Sequence, residues 1–314
     1  MNLRRVRYTR FAIFRIVFAV SQLTACGFAP GASGLSDVVT SSIELRGGQI
    51  ILDASIGDSL PQRFMVDCGV DPSVIDLNTA RRLSIPVDTS SVGEAEGLGD
   101  GPGLEIMHAP IPEIKIAGTS LGEVDALAAD LSRFGEALRM ELAGILGYSF
   151  FDGRVVRIDY PAEQISIARS ASDLPPPTTH VTERHLVPLR FLSDDDPIPV
   201  FDVIVNGQTI TVTLDTGSSG GIELFAETVT RLGLEEARAE GVESSALGAR
   251  GTRTITKGTL NNVGVGPLII SELEVRYSER GHSDDVRDGN AGNRLLRNFV
   301  VTLDYVDRQV IFER

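Results

Sequence analysis

A sequence repeat is the feature that most constrains the fold of this chain. The segment Arg63–Gly69 (RFMVDCG) recurs 148 residues later as Thr211–Gly217 (TVTLDTG), and both copies have the pattern of an apolar strand followed by Asp-x-Gly. The residues that follow also match, with Val74–Leu77 aligned to Gly221–Leu224, and each match leads into a short helical pattern. The sequence therefore predicts two copies of one unit, each with a strand, a tight turn and a short helix.

A second pair of matches closes each copy of the unit. Gly144–Gly147 precedes a strand-like run and a final strand at Gln164–Ile167. In the same way, Gly289–Gly292 precedes a strand-like run and a final strand at Gln309–Phe312. Because strand patterns and glycine turns dominate both copies, we expect an all-β, two-lobed fold with short helices.

A proline-rich segment separates the two copies. Its consecutive prolines lack backbone donors and favour an extended backbone, so they cannot continue a strand ladder. We therefore predict an N-terminal lobe at 41–170, a linker at 171–184 and a C-terminal lobe at 185–314.

The N-terminus has the order of an export signal. Basic residues up to Arg10 precede the apolar run Phe11–Val20, which is too short to span a membrane, so we predict a signal peptide at 1–25. The segment that ends in Leu-Thr-Ala-Cys26 resembles the lipobox of bacterial lipoproteins. That resemblance implies lipidation of Cys26 and a location in the cell envelope of a bacterium, facing the periplasm. An ordinary signal peptide cleaved nearby, with Cys26 incidental, is the alternative.

The residues after the lipobox add two expectations. Gly27 favours the outer over the inner membrane by resemblance to other lipoproteins, and residues 26–40, rich in small residues, form a flexible tether. If Cys26 is acylated, Cys68 has no partner in the chain, so we expect no disulfide framework.

Charge and motifs bear on the classes of partner. The chain has 29 basic and 43 acidic side chains and a net charge of −14, which repels nucleic-acid phosphates and anionic lipid. We therefore expect no nucleic-acid partner, and membrane contact only through the lipid anchor. Zinc, nucleotide and flavin motifs are missing from the sequence, so we expect no cofactor and no metal. The acidic run Asp194–Asp196 fits a solvated turn, since it lacks the spaced ligands of a calcium loop.

The two Asp-x-Gly turns carry the candidate reactive groups. Asp67 and Asp215 stand at the tips of the repeated turns, where Gly69 and Gly217 permit unusual backbone angles and a close approach of backbone. Two copies related by a pseudo-twofold axis would place the carboxylates face to face. Like charges that close share one proton, so one aspartate acts as a base and the other as an acid towards a water and a peptide carbonyl.

A family resemblance supports this chemistry. Leu214–Ser219 resembles the catalytic turn of the aspartic peptidases, and Ile145–Gly147 is similar to the element before the closing strand in bacterial retropepsin-like members. The resemblance covers both copies of the unit. It implies an aspartic endopeptidase whose substrate is a peptide or protein in an extended conformation, and a monomer, because one chain supplies both catalytic lobes.

The resemblance also assigns supporting roles to Cys68, Gly69, Thr216, Gly217 and Ser218. Thr216 matches the residue whose hydroxyl bonds to the opposite lobe and braces the catalytic pair. Cys68 departs from the family pattern at the same place in the first turn. Because a thiol is a weak donor and acceptor, we expect that half of the brace to be impaired.

Two glycine-rich segments, Gly93–Gly103 and Gly241–Gly258, lie between the matched ends of the units. They are either flaps that close over a substrate or ordinary long hairpin loops.

Two other functions stay open. A non-catalytic relative would keep the cleft and bind peptides or a partner protein, and Cys68 and the altered pair Asn290-Ala291 favour it. A serine hydrolase would use Ser219, within Gly-x-Ser-x-Gly, with His282 as its base. The serine does not recur in the first copy, whereas the aspartate does.

Overall fold

Two copies of one strand arrangement make up the part of the chain that the structure describes. The computed structural model describes residues 38–95, 97, 99–193, 196–278 and 287–314. Within these residues the prediction of an all-β, two-lobed fold with short helices is confirmed. The predicted signal peptide, Cys26, most of the tether and His282 lie outside the described residues, and the lobe and linker limits stay predictions.

The N-terminal copy runs from the first described strand to the 3-10 turn at Ala171–Asp173. Its helices are α1 (Leu77–Arg82), α2 (Ser132–Leu138) and α3 (Tyr148–Phe151). Its strands are β1 (Val39–Arg46), β2 (Gln49–Ile56), β3 (Gln62–Val66), β4 (Ser73–Asp76), β5 (Asp88–Glu94), β6 (Glu105–His108), β7 (Ile114–Ile116), β8 (Thr119–Ser120), β9 (Ala126–Ala129), β10 (Gly144–Leu146), β11 (Val155–Asp159) and β12 (Gln164–Ala168).

The C-terminal copy follows with helices α4 (Ala226–Arg231), α5 (Glu235–Ala239) and α6 (Asn293–Leu296). Its strands are β13 (Arg184–Pro188), β14 (Arg190–Ser193), β15 (Asp196–Val205), β16 (Gln208–Leu214), β17 (Ile222–Leu224), β18 (Val242–Gly248), β19 (Gly251–Val265), β20 (Leu268–Tyr277), β21 (Gly289–Ala291), β22 (Val300–Asp304) and β23 (Gln309–Glu313). In the part of the chain that the structure describes, every helix is too short or too polar to cross a membrane.

A shared sheet joins the ends of both copies. Its strands run in the order β13-β23-β22-β11-β12-β1, so the closing hairpin of one copy lies against that of the other. The contact is antiparallel between β11 and β22, with Ile158 opposite Val301. Both of these residues are fully buried, and β22 is buried along its whole length, so apolar burial holds the two copies together.

The strand that leads into each Asp-x-Gly turn is central in its own sheet. β3 pairs antiparallel with β2 and parallel with β10, and β16 pairs in the same way with β15 and β21. Met65 lies beside Ile145 in the first copy, and Thr213 lies beside Asn290 in the second. A strand with neighbours on both sides is held along its length, which fixes the turn that follows it.

The strand registers correct the predicted alignment after the turns. Val74 pairs with Ile145, and Glu223 pairs with Asn290, so Glu223 is the structural counterpart of Val74. The sequence-based match of Val74 with Gly221 is therefore wrong by two residues. The second turn reaches its strand one residue later than the first, whereas the similar letters Ile-Asp-Leu and Ile-Glu-Leu suggested a shorter path.

Candidate active site

The backbone holds both predicted carboxylates in the same way. The amide of Asp67 donates to the carbonyl of Leu146 at 3.0 Å, and the amide of Asp215 donates to the carbonyl of Ala291 at 2.9 Å. These bonds continue the parallel ladders of β3 with β10 and of β16 with β21. Each aspartate therefore extends its strand by one residue, and its side chain direction is set by the strand.

The two carboxylates meet at one point, as the repeat predicts. Each accepts a hydrogen bond from its own turn, from the Gly69 amide to Asp67 Oδ1 and from the Gly217 amide to Asp215 Oδ1, both at 2.9 Å. Each also lies against the opposite turn. A methyl group added at Gly217 would stand 1.9 Å from Asp67 Oδ2, and one added at Gly69 would stand 3.0 Å from Asp215 Oδ1.

Close approach, and not backbone angle, explains the two glycines. Neither Gly69 nor Gly217 is among the residues with positive φ, so one of the two reasons offered from the sequence is wrong. A side chain at either position would instead collide with, or press on, the carboxylate from the other copy.

Burial raises the pKa of both carboxyl groups. The pKa of Asp67 rises to about 6 through burial, against the lowering effect of hydrogen bonds from Gly69 and Gly217. Burial raises the pKa of Asp215 to about 8, and the negative charge of Asp67 adds to this rise. Between these values the pair holds one proton, which is the state in which one carboxyl can donate and the other can accept.

The brace beneath the pair is formed from both turns, and a weaker half at Cys68 stays a prediction. The backbone amide of Cys68 donates to Thr216 Oγ1 at 2.9 Å, the Thr216 hydroxyl donates to Cys68 Sγ at 3.4 Å, and the Cys68 thiol donates to the Leu214 carbonyl at 3.2 Å. Both side chains are fully buried. Burial raises the pKa of the Cys68 thiol to about 12, so the thiol keeps the proton that it donates. The Cys68 amide serves the Thr216 half of the brace, whereas the Cys68 half depends on the thiol.

Further residues hold the second turn and were missed from the sequence. Asn293 Nδ2 donates to the carbonyls of Thr216 at 2.7 Å and of Gly48 at 2.8 Å, while Asn293 Oδ1 accepts from the Tyr160 hydroxyl at 2.7 Å. Gln49 Nε2 donates to the Gly217 carbonyl at 2.6 Å. The signal was present, because Asn293 directly follows the repeated Gly292. Two of its three partners, Gly48 and Tyr160, come from the other copy, so no local pattern reveals them.

The β1–β2 turn brings these partners across from the first copy. Arg46 pairs with Gln49, which leaves Gly47 and Gly48 as a two-residue hairpin turn with φ of +60° and +85°. A methyl group at Gly48 would stand 2.8 Å from Ser219 Cβ, so the hairpin packs directly on the second turn.

The serines of the second turn have structural partners. The Ser218 carbonyl accepts from the Asn293 amide at 2.8 Å, and Ser218 Oγ accepts from the Gly220 amide at 3.4 Å. Ser219 Oγ accepts from Arg276 Nη2 at 3.1 Å. An arginine stays protonated and cannot act as a general base, so this contact does not activate Ser219 as a nucleophile.

The two glycine-rich segments form hairpins whose tips touch each other. The first is β5–β6 and the second is β18–β19. The Gly101 amide donates to the Arg250 carbonyl at 2.7 Å, and Arg250 Nε donates to the Gly101 carbonyl at 2.9 Å. Arg133, in the first turn of α2, donates to the Ala249 carbonyl at 3.4 Å.

Acidic residues away from the pair have structural contacts. Asp159 accepts from the amides of Ala162 and Thr179, and Asp304 accepts from the amides of Val306 and Asp307. Both therefore stabilise turns. Among the described residues, no group of three or more His, Cys, Asp or Glu side chains is placed to hold a metal ion. Asp194 and Asp195 lie outside those residues.

Comparison with known proteins gives matches in both copies. A family model described as "Aspartyl protease" matches residues 52–150 and 201–289. No curated protein matches the chain. Among solved structures, a retropepsin-like aspartic protease from Rickettsia conorii is 19% identical, with a TM-score of 0.34, and the match covers 43% of this chain and 96% of that one.

Proposed function

We propose that this chain, which belongs to the aspartyl protease family, is an aspartic endopeptidase that activates a water between Asp67 and Asp215. One observation carries the proposal. Two copies of a strand-and-turn unit bring one carboxylate each to a single point, and each carboxylate touches the glycine of the other turn. A single such turn would offer only an isolated acid, whereas the duplicated turn offers an acid and a base together.

The one proton that Asp67 and Asp215 share decides which carboxyl acts as the base and which as the acid. The ionised carboxyl removes a proton from the bound water, whose oxygen attacks the carbonyl carbon of the peptide bond. The protonated carboxyl donates to the carbonyl oxygen as the tetrahedral intermediate forms. When that intermediate collapses, one of its hydroxyl groups returns a proton to the ionised carboxyl, the carbon–nitrogen bond breaks, and the amine leaves with the proton of the other carboxyl. The two aspartates end the cycle holding one proton, as they began.

The hairpins bear on the choice of substrate. The hairpins β5–β6 and β18–β19 touch at their tips, and in this proposal the substrate enters beneath them when the tips part, which suits a narrow, extended peptide. The proposal therefore includes a peptide or protein substrate in an extended conformation, and flap movement by both hairpins.

The test is hydrolysis of a diverse peptide mixture from acid to neutral pH. We expect the wild type to cleave peptides, and we expect Asp67→Asn and Asp215→Asn each to lower kcat by about 10³-fold or more, since each removes one member of the acid–base pair. Wild-type turnover in either variant would exclude the proposed mechanism.

The brace bears on the non-catalytic alternative. Cys68 is one of the two sequence features that favour a relative that binds peptides without cleaving them. The Cys68 thiol still bonds to the opposite turn, which weakens that reason. The other feature, Asn290-Ala291, still forms β21 beside the catalytic strand.

Export and lipid attachment form a separate part of the proposal. We propose a periplasm-facing lipoprotein of the outer membrane, anchored through Cys26, on the strength of the signal-like N-terminus and the lipobox resemblance. Mass spectrometry of the mature N-terminus tests this directly. A diacylated Cys26 supports the anchor, and a free N-terminus at any other residue rules it out.

A further inference from the structure

The two lobes present different chemistry on the sheet face that carries the catalytic carboxylates. Strand side chains alternate between faces, so Met65 lies on the same face as Asp67, and Thr213 on the same face as Asp215. The alternate residues of the first strand, Phe64 and Val66, point into the main core instead. The face with the aspartates is therefore separate from the core in both lobes.

In the first lobe this face is apolar. Met65 and Ile145 belong to a buried cluster with Ile51 and Ala129, apart from the main core. The hairpin β5–β6 covers the cluster with Leu104 and Ile106, and Val74 packs against it from β4. The side chains that pack from outside are partly exposed: Val74, Leu104, Ile106, Phe134 and Met140.

The strand registers identify the counterparts in the second lobe. They pair Ile145 with Met65 and Val74, and Asn290 with Thr213 and Glu223. The same ladders place Ile106 and Ile255 at equivalent positions of the two hairpins. Leu104 and Arg253 lie two residues before these positions, so they correspond. The residue after Ala128 of β9, which is Ala129, corresponds to the residue after Tyr277 of β20, which is Ser278. In that order, Met65, Val74, Leu104, Ala129 and Ile145 correspond to Thr213, Glu223, Arg253, Ser278 and Asn290.

All five apolar residues of this set thus become polar in the second lobe. Arg253 forms an ion pair with Glu223, and Arg253 Nη1 donates to Ser278 Oγ at 2.9 Å. The side chains of the ion pair are only 9% and 5% exposed. Arg253 Nε is buried and, among the described residues, has no hydrogen-bond partner. A buried donor without an acceptor is costly, and a ligand that supplies the acceptor removes that cost.

The fold itself does not require these charges. Val74 and Leu104 fill the equivalent positions in the first lobe with apolar side chains, and apolar replacement of a buried ion pair is often neutral or stabilising. The pair also lies near the reacting groups, because the charge of Glu223 contributes to the raised pKa of Asp215, after burial and the charge of Asp67.

We propose that the two sides of the cleft select different side chains, with Glu223 and Arg253 determining specificity on the second side. The first lobe takes an apolar residue of the substrate against Val74 and Leu104. The second lobe takes a residue with a hydrogen-bond acceptor, such as Gln or Asn, which receives the free N–H of Arg253. The preferred cleavage site is therefore asymmetric, with an apolar residue on one side of the scissile bond and a polar one on the other. This inference rests on the proposed function.

The test replaces Glu223 and Arg253 by the residue types found at the equivalent positions of the first lobe. Peptides that differ only by Gln or Leu at the residue flanking the scissile bond are cleaved by wild type and by the double variant Glu223→Val/Arg253→Leu. Its matched control is Arg190→Ala/Asp202→Ala, which removes an exposed ion pair elsewhere in the same lobe. We expect the double variant to lower the Gln-to-Leu ratio of kcat/KM by about tenfold or more. The control should keep the wild-type ratio, and the preference on the other side of the bond should not change in either variant.

A second variant covers the case in which the double variant does not fold. Arg253→Lys keeps a positive charge for Glu223 but lacks Nε, and we expect it to lower the same ratio by a smaller factor. An unchanged ratio in a folded variant, or a wild type that prefers apolar residues on both sides of the bond, overturns the inference while leaving the aspartyl mechanism intact.

The inference can also be tested by peptide binding, without hydrolysis. If the wild type cleaves no peptide, the proposed function fails, and specificity is measured as the Kd of two non-hydrolysable reduced-amide peptides that carry Gln or Leu at this position. A wild-type preference for Gln that Glu223→Val/Arg253→Leu reverses supports the inference. Equal affinities, or no binding of either peptide, overturn it.

Discussion

The two Asp-x-Gly turns share a backbone plan but differ in how closely they are packed. The first turn presses its carboxylate on Gly217, where an added methyl group would stand 1.9 Å from Asp67 Oδ2, whereas the reciprocal distance from Gly69 to Asp215 Oδ1 is 3.0 Å. Asp67 is buried, and Asp215 is partly exposed. The second turn thus receives the carboxylate of the first, and Asp215 is the more exposed of the two aspartates.

The two turns also differ in the side chains that hold them. Asn293 and Gln49 hold the second turn through the carbonyls of Thr216 and Gly217, while the residue equivalent to Asn293 in the first copy is Tyr148. A duplicated fold has therefore specialised its halves. The second turn is the support against which the Asp67 carboxylate packs.

The largest expected difference is between the two glycines. Gly217→Ala places a methyl group into the Asp67 carboxylate, and a displacement of about 1 Å at a reacting group can lower kcat about 10²-fold. Gly69→Ala meets Asp215 at a distance that a small shift relieves, so we expect a loss of about tenfold or less. Steady-state kinetics of both variants measure the contrast, and equal losses would show that the turns are packed alike.

The Thr216 and Cys68 halves of the brace should contribute unequally to the free energy of unfolding. Thr216→Val removes the acceptor of the buried Cys68 amide, and an unpaired buried donor costs about 1–3 kcal/mol of unfolding free energy. Cys68→Ala removes a weaker thiol bond to the Leu214 carbonyl and should cost about 1 kcal/mol. Urea unfolding curves of the two variants give both values. A larger loss for Cys68→Ala would reverse the assigned roles.

The smallest effect is expected at the hairpin tips. Arg250→Ala removes the side-chain bond to the Gly101 carbonyl but leaves the backbone bond between the same residues. Because the side chain is exposed, we expect KM to change by about threefold or less and kcat to stay constant. A large fall in kcat would mean that the tip contact positions the reacting groups and does more than close the cleft.

Local patterns made much of this molecule predictable. The apolar strands before Asp67 and Asp215, the glycines after them and the closing strands all follow from residues that are neighbours in sequence. Duplication then implied that the two carboxylates meet, because one unit folded twice must use the same turn twice.

Contacts between the copies were beyond local patterns. The bond from Cys68 to Thr216 uses a backbone amide, which every residue type except proline supplies, so the identity of residue 68 does not reveal it. The equivalence of Val74 and Glu223 was hidden by one extra residue in the second turn. That residue changes which side chain lies on the sheet face that carries Asp67 and Asp215, and only the strand register reveals it.

The raised pKa values also make stability depend on pH. Both carboxyls have folded-state pKa values above the ordinary 3.8, so the folded protein binds protons more tightly than the unfolded chain. The pair therefore stabilises the fold fully below about pH 4, and this contribution is lost as the pH rises through about 6 and about 8.

The central claim, that the two turns form one proton-sharing pair, is tested most directly by an NMR titration of ¹³C-labelled aspartate carboxyls. Asp67→Asn and Asp215→Asn assign the signals and show the effect of each partner on the other. We predict two coupled transitions, near pH 6 and pH 8, and a lower pKa for Asp215 once the charge of Asp67 is removed. Two independent transitions near 3.8, unchanged by either variant, would contradict the account.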